Sequence, residues 1–211
     1  IRSSFGNQGQ ICLCGERIFI QSSLYDRFKE DFVKETKKLK IDNPLSKTTN
    51  QGAIVSHEHY NKIFSYLKSA KESGAIFLTG GKSKKLKDEY ANGWYIEPTI
   101  IENLNRNSQC YTEEAFGPVT SIHKFETKED VIELANETTY GLAASIWTTD
   151  LSTAHYVAKS IDFGIVWVNS WNLRDLRTPF GGMKDSGLGR EGGDESLTFF
   201  SEPKNICINY E

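Results

Sequence analysis

Residues 143–168 read Ala-Ala-Ser-Ile-Trp-Thr-Thr-Asp-Leu-Ser-Thr-Ala-His-Tyr-Val-Ala-Lys-Ser-Ile-Asp-Phe-Gly-Ile-Val-Trp-Val. Ala143 to Trp147 is an apolar run of strand length, and Asp150 stands where a helix needs an N-cap. Leu151, Ala154, Val157, Ala158 and Ile161 then recur at helical spacing, and Ile165 to Val168 closes the pattern as a second strand. Two strands joined by a helix run parallel, because the helix carries the chain back to the starting end of the sheet. Working outward, Val119 to Phe125 reads as another strand, and Thr127 with Asp130 has the spacing of a capping box for a helix through about Asn136. Near the start, the strand Arg17 to Gln21 leads into a helix with Leu24, Phe28, Phe32 and Leu39 on its apolar stripe, capped by Ser22 or Ser23 and ending near Lys40. A polar connector, residues 41–52, precedes a helix from Ser56 to Ser73 with a stop at Gly74, then the strand Ala75 to Leu78. The segment Trp94 to Ile101 is extended with an edge or bend at Pro98, and Asn205 to Tyr210 is expected to form a last strand. Alternation of this kind predicts an α/β layer fold, with ligands beyond the carboxyl ends of the strands, in the loops after Trp147 and Val168.

The 211 residues are 38% hydrophobic and 25% charged, which is enough to close a core without disulfides or metals and excludes a disordered chain. A net charge of -3 disfavours nucleic acid as a partner, and the cluster Lys82, Lys84, Lys85 and Lys87 has no interleaved aromatics, so it reads as a solvated loop. No apolar run has the length of a membrane span, and no signal-like segment opens the chain. Four irregularly spaced cysteines (Cys12, Cys14, Cys110, Cys207) favour a reducing compartment, hence a cytoplasmic location, and leave thiols available as nucleophiles. The chain opens at Ile1 with the Gly-rich turn Phe5-Gly6-Asn7-Gln8-Gly9-Gln10 before any complete element, which leads to the expectation that it is part of a longer protein.

Cys12 is the first candidate for chemistry. A helix beginning near Gly9 would put its thiol among unpaired N–H groups that favour thiolate and oxyanion alike. The alternative is that Cys12 and Cys14 are small apolar residues of a core helix. No metal site is expected, since one intervening residue and no nearby histidine leave a tetrahedral set incomplete. His57, His59, His123 and His155 have no catalytic context and read as surface or helix-face residues. Glu113 and Glu114, taken alone, could be an ordinary acidic helix start.

Taken together, several segments are far more specific. Gly9-Gln10-Ile11-Cys12, Glu113-Glu114-Ala115-Phe116-Gly117-Pro118-Val119, Tyr140-Gly141-Leu142-Ala143-Ala144, Val168-Asn169 and Pro179-Phe180-Gly181-Gly182 through Gly189-Arg190-Glu191 occur in an order and spacing that resembles the C-terminal portion of an aldehyde dehydrogenase. The likeness covers essentially the whole chain. It implies a three-layer, Rossmann-like catalytic domain over residues 1–198 and a C-terminal oligomerisation arm over 199–211, with a homo-oligomer, dimer or tetramer, as the assembled state. It also implies NAD as cofactor and a small-molecule aldehyde as substrate. Cys12 would be the nucleophile, Glu114 the ligand of the nicotinamide-side ribose, Phe116 a neighbour of the nicotinamide, and Phe180 a wall of the aldehyde tunnel. The family's general-base glutamate, its oxyanion asparagine and most of its dinucleotide-binding domain lie upstream of the cysteine motif, so this chain by itself is not expected to complete a turnover.

The loop between Asn169 and Pro179 carries Arg174 and Arg177, and guanidinium grips carboxylate bidentately. Leu173-Arg174-Asp175-Leu176-Arg177-Thr178-Pro179-Phe180 resembles the branch of the family that acts on muconic semialdehydes, which implies a carboxylated substrate read by Arg174. The alternative is that Arg174 and Arg177 pair with Asp175 or with surface acids. Gly15-Glu16 departs from the Thr-Ser expected of the animal members of that branch.

Overall fold

Ile100 and Ile101 are neighbours in sequence, both are fully buried, and they belong to two different cores on opposite faces of one sheet. In this computed structural model, which describes residues 1–211, the chain packs as two units, Ile1–Glu137 and Thr138–Glu211. The first contains α1 (Arg2–Phe5), β1 (Arg17–Gln21), α2 (Ser22–Thr36), α3 (His57–Glu72), β2 (Ile76–Thr79), β3 (Ser83–Lys84), β4 (Tyr95–Ile96), β5 (Thr99–Glu102), α4 (Gln109–Thr112), β6 (Val119–Phe125) and α5 (Lys128–Asn136). Its main sheet has the order β1-β6-β5-β2, with β1 and β5 parallel to β6 and β2 antiparallel to β5.

The two cores follow from residue alternation along β5 and β6. Ile100 and Ile122 join Phe5, Ile20, Tyr25 and Phe32 under α2, whereas Ile101 and Val119 join Ile63, Tyr66, Leu67 and Ala70 under α3. The sheet is thus covered by helices on both faces, as an α/β layer fold requires. Ser56 caps α3 by accepting the His59 N–H, and Thr127 with Asp130 forms the full reciprocal capping box on α5. Helix α2 departs from expectation: its N-cap is Gln21 with no side-chain cap, while the Ser22 hydroxyl donates to Glu126 instead. Pro98 separates β4 from β5, which is the expected bend. Of the lysine cluster, Lys84 lies on β3, a short exposed strand paired with β4.

The second unit contains β7 (Tyr140–Gly141), β8 (Ala143–Ile146), α6 (Leu151–Ser160), β9 (Ile165–Val168), β10 (Met183–Lys184) and α7 (Gly193–Phe199). β8 and β9 pair in parallel, Ala143 opposite Ile165 through Ile146 opposite Val168, with α6 as the crossover and Asp150 as its N-cap. They form a two-stranded sheet within the second unit. The Gly-rich segment packs tightly against the turn before β9: a Cβ at Gly164 would stand 1.7 Å from the Gly181 carbonyl oxygen, so no side chain fits there. The expected strand Asn205 to Tyr210 is absent, and residues 201–211 have no regular structure and are exposed. A strand needs a partner ladder, and the chain offers this segment none. The break in packing between the two units falls at 137/138. No helix is long and apolar enough to cross a membrane.

Ile101→Ala is expected to cost about 2–5 kcal/mol of unfolding free energy, through lost burial and the cavity left behind. Leu45→Ala, at a residue 88% exposed, should stay within about 0.5 kcal/mol. Urea denaturation monitored by fluorescence and circular dichroism measures both.

Candidate active site

The segment leading to Cys12 is held in a conformation that most residues avoid. Asn7 (φ 49°), Gln8 (φ 58°) and Gly9 (φ +71°) are successive left-handed residues. At Gly9 the reason is steric, because a Cβ there would stand 1.9 Å from the Gly117 carbonyl oxygen. Three glutamines hold the turn in place. Gln8 Oε1 accepts the Gly52 N–H at 2.9 Å, Gln10 Oε1 accepts the Val55 N–H at 3.0 Å, and Gln51 Nε2 donates to the Phe5 carbonyl at 2.6 Å. The polar connector is therefore a clamp on this turn, which its composition did not reveal.

Beyond the clamp the chain turns at Ile11–Cys14, closed by the Cys14 N–H to the Ile11 carbonyl at 2.9 Å, with Cys12 exposed on it. This corrects the expected helix start: Cys12 lies on a turn, and Gly9, at φ +71°, cannot be the first residue of a right-handed helix. Neither does it lie in a core helix. Cys14 is half-buried, its Sγ 3.7 Å from the Gly6 carbonyl oxygen, and burial pushes its thiol up to about 11. Cys110 is buried on α4, which pushes its thiol up to about 12.

Glu113 and Glu114 follow the C-terminal end of α4, so they do not start a helix. Glu113 Oε2 accepts the Tyr66 hydroxyl at 2.8 Å, which occupies it, whereas Glu114 is exposed. Partial desolvation raises the Glu114 carboxyl above its ordinary range, opposed by Lys62 and His59. Phe116 is half-buried and left-handed (φ 51°), and its carbonyl lies 2.7 Å from His59 Nε2. The close fit of Gly9 on Gly117 places the cysteine turn against the Glu114–Phe116 loop.

Three residues here do more than their sequence reading gave them. His59 lies on α3, in keeping with its reading as a surface or helix-face residue, and also braces the Phe116 loop. His123, read as a surface residue, packs between the rings of Phe19 and Tyr111, and burial followed by the Arg17 guanidinium lowers its pKa to about 4. Glu16 appeared only as a departure from expectation, yet its carboxylate accepts the Ala115 N–H at 2.9 Å and the Phe116 N–H at 2.8 Å. A carboxyl four residues beyond a candidate nucleophile is the signal that could have drawn attention to it.

In the second unit, the Arg174 guanidinium lies 4.1 Å from the Phe180 ring centroid, a cation–π contact, with Glu191 Oε1 at 4.0 Å. Arg177 is engaged by Asp175, its Nε 2.9 Å and Nη2 2.5 Å from the two carboxylate oxygens. Trp167 Nε1 donates to the Leu173 carbonyl at 2.8 Å and anchors the arginine loop, while Phe180 and Glu191 exchange backbone hydrogen bonds.

The aldehyde dehydrogenase family matches residues 1–206. The chain belongs to that family. It is 46% identical, over its whole length, to the 2-aminomuconic 6-semialdehyde dehydrogenase of a Pseudomonas species, and spans 43% of that relative. It is 46% identical over 99% of its length to the 2-hydroxymuconic semialdehyde dehydrogenase of Pseudomonas putida, again 43% of that relative. Among solved structures, a betaine aldehyde dehydrogenase of Staphylococcus aureus in complex with NAD+ superposes with a TM-score of 0.90 at 38% identity, covering 94% of this chain and 39% of that one. The chain thus spans less than half the length of these relatives.

The four thiols differ in exposure, and burial keeps those of Cys14 and Cys110 protonated, which gives a direct test. Brief iodoacetamide treatment near pH 8 should modify Cys12 and Cys207, both exposed, well before Cys14 and Cys110. Peptide mass spectrometry reads the order, and early labelling of Cys14 would contradict the turn geometry.

Proposed function

We propose that this chain carries the nucleophile and part of the cofactor site of an NAD-dependent aldehyde dehydrogenase, one that oxidises a carboxylated semialdehyde such as 2-aminomuconic semialdehyde to the acid. The observation that carries the reading is the seating of the exposed Cys12 turn on the Glu114–Phe116 loop through Gly9 and Gly117. Cys12 thiolate attacks the aldehyde carbon and gives a thiohemiacetal, which loses hydride and becomes a thioester; water then releases the acid and restores the thiol. NAD, when bound, accepts that hydride.

The residues present suit such a ligand. Glu114 offers an outward carboxylate to a ribose hydroxyl pair, since Tyr66 occupies Glu113 instead, and the Phe116 ring offers an apolar face beside it. Cys14 stays a protonated neighbour. Exposed apolar side chains along the tail, Phe199, Phe200, Ile206, Ile208 and Tyr210, suit an oligomerisation arm that gains its strand partner from another subunit.

For the substrate, Arg174 is the better reader of a carboxylate. Arg177 is already neutralised by Asp175, whereas the nearest acid to Arg174 lies beyond hydrogen-bond distance and Phe180 steadies the guanidinium. A cationic aldehyde would be repelled by that charge. The 2-hydroxymuconic analogue has the same carboxylate and is the alternative substrate.

Two tests use protein expressed from the complete reading frame. Cys12→Ser should abolish NAD-dependent aldehyde oxidation while Cys14→Ser keeps most of it, and equal losses would remove Cys12 from its role. Arg174→Ala should raise KM for a muconic semialdehyde about ten- to hundredfold, the effect of losing a charge-assisted contact of about 1.5–3 kcal/mol, and leave a neutral aliphatic aldehyde nearly unchanged. Arg177→Ala should be milder. If Arg174→Ala slows both aldehydes alike, the arginine is structural.

A further inference from the structure

The Glu16 carboxyl is the one acid in the first unit that bridges the cysteine segment to the Glu114–Phe116 loop. Each of its oxygens takes a different N–H, Oε2 that of Ala115 at 2.9 Å and Oε1 that of Phe116 at 2.8 Å. The residue is itself fixed, because its carbonyl accepts the Ser121 N–H at 2.8 Å and the Thr120 hydroxyl at 3.1 Å at the start of β6. The loop needs such a hold. Phe116 sits at φ 51°, a region that an aromatic residue enters only when its surroundings compel it, and its carbonyl is braced from the other side by His59. Consecutive N–H groups aimed at one point form a natural anion cradle, here filled by the protein's own carboxylate.

We propose that Glu16 is a positioning residue of the cofactor site: anchored on the nucleophile's own segment, its carboxylate sets where Glu114 and the Phe116 ring stand relative to Cys12. The proposal rests on the reading of the Glu114–Phe116 loop as the NAD-binding loop. It adds a residue that touches neither substrate nor cofactor and acts through two backbone N–H groups.

Protonation is a built-in probe of this contact. Desolvation pushes Glu16 up to about 7 against the pull of its two N–H partners. The groups facing it are Glu114, which raises it further, Lys62 on α3, which lowers it, and the thiols of Cys14 and Cys110, which feel its charge. A proton on one oxygen removes an acceptor from one N–H, so the hold on the loop weakens as pH falls through about 7.

The test uses protein expressed from the complete reading frame, with NAD+ as the probe and titration calorimetry as the readout. Glu16→Gln keeps the shape but turns an amide NH2 toward one of the two N–H groups. It should weaken NAD+ binding about tenfold or more. Acylation of Cys12 by p-nitrophenyl acetate, which needs no NAD, should stay within about twofold of wild type. In wild type the dissociation constant for NAD+ should rise as pH falls through about 7, and this inflexion should vanish in Glu16→Gln. Unchanged NAD+ affinity in Glu16→Gln overturns the proposal, and so does a parallel loss of binding and acylation, which would make Glu16 merely structural. If Glu16→Gln does not fold, Glu16→Asp, whose shorter carboxylate cannot reach both N–H groups, takes its place, and unchanged NAD+ affinity there overturns the proposal. Wild-type protein that binds no NAD+ at all would instead remove the cofactor loop itself, and Glu16 with it.

Discussion

The contact between Gly9 and Gly117 is the constraint on which the rest of the first unit's site depends. With a Cβ at Gly9 only 1.9 Å from the Gly117 carbonyl oxygen, the two backbones meet only if position 9 lacks a side chain. That contact closes a left-handed run at Asn7, Gln8 and Gly9, and the chain beyond it turns at Ile11–Cys14 with Cys12 exposed. Gln8, Gln10 and Gln51 satisfy backbone groups that this irregular path leaves without a secondary-structure partner.

Around that contact the protein sorts its titratable groups by exposure. Cys14, Cys110 and His123 are desolvated and favoured in their neutral forms, while Cys12 and Glu114 face outward. The buried groups also leave a mark on stability. His123, lowered to about 4, stabilises the fold above the usual histidine range and loses that contribution as pH falls toward its folded value. Glu16, raised to about 7, has the opposite sign: its contribution is complete below the usual carboxylate range and is lost as pH rises to its folded value. The two act against each other over the same acidic interval, so neither alone sets a pH optimum for folding.

What could be read in advance was whatever depends on local periodicity. The strand–helix–strand at 143–168 and the Thr127–Asp130 box are encoded within a few residues of where they act, and they formed as expected. Hidden from such reading were features set by residues far apart. The Cys12 turn depends on Gly117, the function of Gln51 depends on Phe5, and Glu16 finds its partners about a hundred positions later. The terminal strand failed differently: the segment 205–210 has the right residues, but pairing takes a ladder that this chain does not supply.

The long reach of these contacts bears on how the protein is made. Residues 9–16 leave the ribosome about a hundred residues before Ala115, Phe116 and Gly117, which at about 5–20 residues per second is a delay on the order of 5–20 s. For that interval Gly9 has nothing to pack on, the Glu16 carboxylate has no N–H groups to accept, and Cys14 has not acquired its burial. The thiol that ends up exposed and the thiol that ends up half-buried are then equivalent. Their distinction is a product of the last third of the first unit's synthesis, when β6 pairs with β1 and closes the loop over the cysteine turn.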